Sequence, residues 1–131
     1  MKKLTIIKIG GNVIDNSEKL YEFLKAFADL EGYKILIHGG GKMATKLAAE
    51  MNIEAKMIDG RRITDIETLR IVTMVYAGLI SKNLVAQLQT HGCNAIGLCG
   101  ADGNLIKAKK RPVAAIDYGF VGDLDEKSIQ T

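Results

Sequence analysis

The amino-acid sequence predicts an α/β fold, a three-layer αβα sandwich built on a mainly parallel open sheet. The first fifty residues read strand, helix, strand, helix, which is the order of right-handed βαβ units. Both strands are apolar at nearly every position, as is typical of parallel strands that helices cover on both faces. Each strand also ends in a glycine turn, which marks its boundary with the helix that follows.

The first two strands and their helices are predicted from apolar spacing. Residues 4–9 form a β-branched run, after which Asp15 is the expected N-cap of a helix with Glu18 at capping-box spacing. That helix is expected to stop at Gly32, and residues 33–37 form the second apolar strand. A further helix is predicted from the apolar residues Ala44, Leu47, Ala48 and Met51.

The remaining strands are expected to be short. Residues 53–64 alternate roughly between apolar and polar side chains around Asp59-Gly60, a sequence that strongly favours a β-hairpin turn. Residues 94–99 are predicted to be a third buried strand, and the glycine-rich segment that follows is predicted to be a turn. Residues 113–116 are predicted to lie in short strands or hairpins.

A long helix is predicted over residues 65–90, with Thr64 and Glu67 at capping-box spacing at its start. Gly78 is expected to bend or split it. Residues 69–80 are apolar nearly all round the helix, whereas a surface helix has one apolar stripe. A second covering surface is therefore required, either the rest of the fold or another subunit. We expect a homodimer through this helix.

Composition indicates a soluble globular domain, or part of one. The chain has 131 residues and a formal net charge of +3, with hydrophobic residues at 47% and charged residues at 25%. The densest basic run, residues 107–111, has no aromatic neighbours and is interpreted as a solvated turn rather than a nucleic-acid surface. Neither a signal peptide nor an apolar run long enough to cross a membrane is recognised, so no membrane partner is expected.

The two cysteines are expected to be buried thiols. If residues 94–99 form a strand, six steps of ~3.3 Å place Cys93 and Cys99 ~20 Å apart, too far for a disulfide. Unpaired thiols are typical of the reducing cytoplasm, which is the predicted location. Metal-ligand and nucleophile roles for these cysteines are disfavoured.

Lys8 and the first glycine turn are candidates for anion binding. Lys8 interrupts an apolar strand at its carboxyl end, where open α/β sheets bind ligands. The alternative is a lysine that reaches solvent past the strand end. Gly10 and Gly11 would let a ligand approach the backbone closely, although a glycine pair is also common in simple turns.

The triple glycine 39–41 is a stronger anion-binding signal, because it combines free N–H donors with the start of a helix. His38 before it is interpreted as a packed histidine. The spacing Gly39-x-Gly41-x-x-Ala44, with Asp59 twenty residues after Gly39, also matches a loose dinucleotide fingerprint, and this remains a rival hypothesis. Arg62 could bind a carboxylate, or it could be a surface residue.

Five ordered motifs resemble the amino-acid kinase family over essentially the whole chain. They are residues 7–11, 38–41, 60–64, 97–103 and 119–123. Within the family they are most similar to members that phosphorylate the side-chain carboxylate of N-acetyl-L-glutamate in arginine biosynthesis. Such members use ATP with Mg²⁺ and give N-acetyl-L-glutamyl 5-phosphate and ADP.

The resemblance implies a role for each candidate residue. Lys8 would be catalytic, stabilising charge on the transferring phosphoryl group, and Gly10 and Gly11 would line the phosphate path. Gly40 and Gly41 would donate backbone N–H groups on the substrate side. Arg62 would hold the α-carboxylate of the acceptor, and the hairpin at residues 53–64 would act as a lid.

The resemblance also implies an incomplete sandwich. Family members are about twice as long, so residues 1–131 would be the N-terminal acceptor-binding part, without the C-terminal nucleotide-binding part. We expect no kinase activity from this chain alone. Members inhibited by arginine carry an extra N-terminal helix, so the implied protein is a dimer that arginine does not regulate. Another amino-acid or carbamate kinase remains the alternative.

Overall fold

The computed structural model describes residues 3–125, which form two helix-connected parallel strands and a layer of helices. The strands are β1 (Leu4–Ile9), β2 (Tyr33–His38), β3 (Met57–Ile58), β4 (Arg61–Arg62), β5 (Ala108–Lys110) and β6 (Gly122–Leu124). The helices are α1 (Gly11–Ile14), α2 (Ser17–Asp29), α3 (Gly41–Glu50), α4 (Ile66–Thr73), a π-helical segment (Met74–Ile80) and α5 (Ser81–Thr90). A short 3₁₀ helix covers Asp102–Asn104.

β1 and β2 pair in parallel, from Leu4 beside Tyr33 to Ile9 beside His38. This pairing confirms the predicted α/β class with a parallel sheet. One face of the pair packs on the helices, where Ile9 is buried and joins a core of helical side chains. Those side chains are Ile14, Leu20, Leu24, Phe27, Ala44, Ala48, Ile71, Val75, Ile80, Leu84 and Leu88.

The opposite face of this sheet is not covered by the described residues. Ile6 is 59% exposed, Ile35 46% and Ile37 49%. Because both strands are apolar at nearly every position, we predicted that helices cover both faces of the sheet. That prediction is wrong for the part of the chain that the structure describes. The sheet and one helical layer are present, which agrees with an incomplete sandwich.

Helix α2 begins one residue later than predicted. Asn16, not Asp15, is its N-cap and accepts a hydrogen bond from the Lys19 N–H at 2.9 Å. The reason is the short helix α1, which covers Gly11–Ile14 and has Asp15 as its C-cap. Gly32 has φ of +85° and lies in the connection to β2, where a Cβ would meet a backbone oxygen at 2.8 Å.

The predicted hairpin is present as β3 and β4. Its two turn residues, Asp59 and Gly60, have φ of 49° and 74°. Positive φ at both central positions is the requirement of a type I′ turn, so the Asp-Gly signal correctly located it. β4 ends at Arg62, next to the start of the long helix.

The long helix is continuous from Ile66 to Thr90, but its start and its middle differ from a regular α-helix. Asp65, not Thr64, caps it and accepts from the Thr68 N–H at 2.8 Å. Thr64 is instead held extended, because its N–H donates to the Tyr118 oxygen and its oxygen accepts from the Phe120 N–H. The predicted disturbance near Gly78 is confirmed as a seven-residue π-helical segment.

This helix is long and apolar enough to cross a membrane by length and composition, contrary to the expectation that no segment would be. The same test is passed by core helices of soluble proteins. Ile71, Val75 and Leu84 lie in the core described above, so one face of this helix packs in the core of the described residues. A single segment of this kind is weak evidence for a membrane span.

Residues 94–99 are not a strand, so that prediction is wrong. No described strand pairs with them, and they follow α5 through side-chain contacts. Lys82 Nζ donates to the Gly97 oxygen at 2.9 Å and Gln89 Nε2 to the Ala95 oxygen at 3.1 Å. Ile96 is 80% exposed, and Cys93 and Cys99 are free and half-buried rather than buried.

The C-terminal described segment contains one small antiparallel pair, β5 with β6. Arg111 Nε donates to Asp123 Oδ1 at 2.9 Å, and this hydrogen bond lowers the pKa of Asp123. Residues 113–116, predicted to lie in short strands or hairpins, form no strand themselves and lie in the connection between the antiparallel strands β5 and β6. The basic run is mainly exposed, as expected, but Ala108–Lys110 form strand β5, so the predicted turn is wrong there. Residues 126–131 lie outside the described part.

Candidate functional site

The parallel register brings the two glycine turns to one edge of the sheet. Ile9 and His38 are the last paired residues, so Gly10-Gly11 and Gly39–Gly41 both follow directly at the carboxyl ends. Helix α3 starts at this edge with Gly40 as its N-cap, and no side chain caps it. The first N–H groups of a helix without such a cap are available to an anion.

Lys8 lies close to the same edge, on the uncovered face of the sheet. It pairs in register with Ile37 and its side chain is exposed. Among residues 3–125, no acceptor is recorded for its ammonium group. The structure thus places Lys8 near the turns, with its charge uncompensated, and does not bring it into contact with Gly40 or Gly41.

The packing of α3 against the π-helical segment requires a glycine at position 40. A Cβ at Gly40 would lie 2.4 Å from Ile80 Cδ1 and 3.0 Å from the Tyr76 ring. Helix α3 therefore approaches the π-helical segment more closely than a side chain would permit. At Gly41 the nearest atom to a Cβ is the Tyr76 hydroxyl, at 3.7 Å, so this position is under no such constraint.

Arg62 contacts the triple-glycine turn. Its Nη2 donates to the Gly41 oxygen at 3.0 Å and to Thr45 Oγ1 at 2.8 Å. Its Nη1 is buried and has no acceptor among the described residues. Because buried donors are nearly always paired, and guanidinium forks match carboxylates, this nitrogen is a candidate contact for an anionic ligand. Arg62 is therefore not simply a surface residue.

Two residues that sequence reasoning missed link the two glycine turns. Lys42 Nζ donates to Asn12 Oδ1 at 3.0 Å and lies 3.9 Å from Asp15 Oδ2. Lys42 is mainly exposed, so this ion pair adds little stability. Lys42 could have been identified from its position directly after three glycines, whereas nothing in the sequence pattern singled out Asn12.

The described residues do not enclose the candidate residues in one pocket. Two open hollows lie in the described part of the chain: one is lined by Thr45, Ala49, Asn52, Ile53, Glu54 and Ala55, and the other by Lys3, Glu31, Gly32 and Tyr33. Neither contains Lys8 or a residue of the two glycine turns. Residues 3–125 alone therefore show no single pocket lined by both Lys8 and Gly40.

Metal ligands are not grouped in this part of the chain. Within residues 3–125 no set of three His, Cys, Asp or Glu side chains could hold a metal ion. The described residues therefore do not provide a fit for Mg²⁺.

The dinucleotide hypothesis gains no support from the geometry. Asp59, which would contact a ribose, is at the tip of the β3–β4 hairpin with positive φ. His38, interpreted as a packed histidine, is half-buried, with Nδ1 3.0 Å from the oxygen of Gly39.

Comparison with known proteins identifies similar sequences. The sequence model of the amino acid kinase family matches residues 3–131. Acetylglutamate kinase of Parabacteroides distasonis is 60% identical over 126 residues, which are 96% of this chain and 49% of that protein. The Cytophaga hutchinsonii enzyme of the same name is 64% identical over 125 residues, 95% of this chain and 47% of that protein. The chain thus spans about half the length of the curated relatives it matches.

Two solved structures share the fold. Smu.665 from Streptococcus mutans UA159 has a TM-score of 0.76 at 28% identity, covering 95% of this chain and 51% of that one. N-acetylglutamate synthase from Neisseria gonorrhoeae, solved with coenzyme A and L-arginine, has a TM-score of 0.60 at 20% identity. That alignment covers 93% of this chain and 30% of the synthase. At this identity the synthase shows a common fold and nothing more.

Proposed function

The chain belongs to the amino acid kinase family, and we propose that it forms the acceptor-binding part of an acetylglutamate kinase. The reaction transfers the γ-phosphoryl group of ATP to the side-chain carboxylate of N-acetyl-L-glutamate, giving N-acetyl-L-glutamyl 5-phosphate and ADP, in arginine biosynthesis. Identities of 60% and 64% to two proteins with that name support this acceptor over aspartate or carbamate.

The observation that carries the proposal is the position of Arg62. Its guanidinium group rests on the Gly41 turn, and its buried Nη1 is left without an acceptor in the described part of the chain. An α-carboxylate bound there would satisfy that donor. It would also place an amino-acid ligand beside the N–H groups of Gly40 and Gly41, at the start of α3.

The chemistry requires positioning and charge neutralisation more than proton transfer. The side-chain carboxylate oxygen attacks the γ-phosphorus, a new O–P bond forms, and the bond to the ADP oxygen breaks with its electron pair. A carboxylate is already a nucleophile, so no general base is required. Lys8 stabilises the charge on the phosphoryl oxygens, and Gly10 and Gly11 present backbone N–H groups along its path.

The nucleotide-binding part is proposed to lie outside residues 1–131. ATP with Mg²⁺ would bind there, and the 131-residue chain alone would be inactive. We also propose that the complete protein is a cytoplasmic homodimer that binds neither nucleic acid nor membrane. Its subunits would meet at the helix around residues 69–80, where Met74 and Leu79 are exposed.

The test is the acceptor dependence of ADP formation by the full reading frame that contains this chain. We expect turnover with N-acetyl-L-glutamate that exceeds turnover with aspartate or carbamate by at least two orders of magnitude. Residues 1–131 alone should give none. Faster turnover with aspartate or carbamate would identify another amino-acid or carbamate kinase. Binding of NAD(P) without any turnover would favour the dinucleotide module at residues 39–44.

A further inference from the structure

Thr45 joins the glycine turn to the candidate carboxylate anchor. Its hydroxyl donates to the Gly41 oxygen at 2.9 Å and accepts from Arg62 Nη2 at 2.8 Å. Arg62 Nη2 also reaches the Gly41 oxygen, at 3.0 Å. The three groups therefore form a closed triangle of hydrogen bonds between the first turn of α3 and the end of β4.

A threonine that bonds the carbonyl four residues earlier in its helix is common and by itself has no functional meaning. The contact from Arg62 is different, because it crosses from an element 17 residues away in sequence. A hydroxyl has one proton, and here the Gly41 carbonyl accepts it. The oxygen that faces Arg62 can therefore act only as an acceptor, which fixes the direction of both bonds.

This arrangement assigns separate tasks to the two terminal nitrogens of Arg62. Nη2 is held by the two neutral oxygens of Gly41 and Thr45, and neither of them cancels the positive charge. Nη1 is buried without an acceptor among residues 3–125. With Nη2 fixed, the guanidinium plane cannot rotate freely, so Nη1 keeps one direction. A group held in this way binds a carboxylate without first losing rotational freedom.

We propose that Thr45 is a positioning residue that orients Arg62 for the α-carboxylate of the acceptor. The inference rests on the proposed function, because it assumes that Arg62 is the carboxylate anchor. Thr45 itself contacts no reacting atom. Loss of the Thr45 hydroxyl should weaken binding of the acceptor and leave the rate of phosphoryl transfer nearly unchanged.

The experiment compares Thr45→Val and Thr45→Ser in the complete protein. Valine keeps the shape and removes the hydroxyl, whereas serine restores it. We expect Thr45→Val to raise KM for N-acetyl-L-glutamate roughly tenfold with kcat within about twofold, as for the loss of a hydrogen bond to a charged group. Thr45→Ser should restore KM to within about threefold of the wild type.

A matched control is Thr90→Val. The Thr90 hydroxyl also donates to a carbonyl of its own helix, that of Gln87 at 2.7 Å, but no arginine in the described part of the chain donates to it. This control should leave KM unchanged. If it raised KM as much as Thr45→Val, or if serine failed to restore KM, the effect would be one of helix structure and the inference would be overturned.

Two further measurements separate the inference from the proposed function. With the α-carboxamide of N-acetylglutamate, which offers Arg62 no charge, Thr45→Val should have less than about a twofold effect on kcat/KM. Arg62→Gln should raise KM for the acid more than Thr45→Val does. If Arg62→Gln has an effect and Thr45→Val has none, only the inference fails. If Arg62→Gln leaves KM unchanged, the carboxylate assignment in the proposed function fails.

Discussion

Arg62 and Arg111 show how the partner of an arginine decides whether its charge is available to a ligand. Arg111 donates to the Asp123 carboxylate, which raises the pKa of Arg111 and lowers that of Asp123. Arg62 donates to a carbonyl and a hydroxyl, both neutral. Its positive charge is thus not compensated within this contact, and an anionic ligand can be bound by it.

Asp65 makes folding sensitive to acid at the start of the long helix. The hydrogen bond from the Thr68 N–H is the main cause that lowers the pKa of Asp65. A carboxyl whose folded pKa is depressed stabilises the fold fully above its unfolded pKa of about 3.9, and loses that contribution as the pH falls through the lower, folded value.

We therefore expect Asp65→Asn to lower the thermal midpoint at pH 7, with a difference from the wild type that shrinks as the pH is lowered towards 3. Asparagine keeps a capping oxygen and removes only the charge. Thermal unfolding followed by circular dichroism at several pH values measures this. A difference that is as large at pH 3 as at pH 7 would contradict the assignment.

At the scale of single residues, sequence reasoning found the charged and glycine positions but not their connections. Lys8, Gly40, Gly41 and Arg62 were recognisable because a residue type was unusual for its context. Thr45 was not, since a threonine on a polar helix face fits its surroundings. Its role depends on a contact that exists only after the hairpin folds against α3.

At the scale of elements, the close approach of α3 to the π-helical segment fixes the position of the glycine turn. Gly40 lies against Ile80 and Tyr76, where no Cβ could be placed without movement. The N–H groups at the start of α3, which we propose face the substrate, are therefore supported by the core rather than by a loose loop. A rigid backbone is what a preorganised anion site requires.

The expected effect of Gly40→Ala is a loss of about 1–3 kcal/mol in the free energy of unfolding, because the added methyl overpacks this contact. Gly39→Ala is the matched control, since a Cβ there meets nothing within 4 Å. It should change stability by less than about 1 kcal/mol. Urea denaturation measures the free energy of unfolding of both variants.

A second substitution identifies the colliding atom. Ile80→Val removes the Cδ1 atom that a Cβ at Gly40 would approach to 2.4 Å. In the Gly40→Ala background it should recover part of the lost stability, although Ile→Val alone costs about 0.5–1.5 kcal/mol. Purely additive losses in the double variant would show that the contact is not the cause.

Local signals predicted the elements well where local chemistry decides the structure. The Asp-Gly hairpin, the disturbance near Gly78 and the first two strands are all determined by turn chemistry or by strong apolar runs. Residues 94–99 have an equally apolar run, yet they form no strand, because a strand needs a neighbour to pair with and none is described there. Tertiary context decided this case.

At the scale of the whole molecule, several apolar side chains of the described residues remain exposed. They include Ile6 and Ile35 on the sheet face, and on the long helix Met74, which is 47% exposed, and Leu79, which is 48% exposed. These two residues are five apart within the π-helical segment, whose hydrogen bonds link residues five apart, so they share one face. Exposed apolar patches of this kind mark contact surfaces.

The proposed homodimer predicts that Leu79→Glu in the complete protein yields single subunits. A charge at a fully desolvated interface position has no compensating partner and opposes association. Ala26→Glu, at an exposed position of α2, is the control and should leave the dimer intact. Sedimentation velocity distinguishes the two states. A Leu79→Glu protein that sediments as the wild type would place the interface elsewhere.

The fold class followed from the sequence, while the extent of the layers did not. The order strand, helix, strand, helix determines a parallel pair almost without alternatives. Other segments of the protein decide which face of that pair is covered. The apolar sequences of β1 and β2 do not specify which face this is. Lys8 lies on this uncovered face, so its surroundings could not be predicted from its own strand.

The most direct test of the central claim is the turnover number of the complete protein after Lys8→Met, with Lys25→Met on the exposed side of α2 as control. We predict that kcat falls about 10²–10³-fold, because the transferring phosphoryl group loses its charge partner. KM for N-acetyl-L-glutamate should stay within about threefold, and the control should behave as the wild type. A Lys8→Met protein that retains the wild-type kcat would contradict the account.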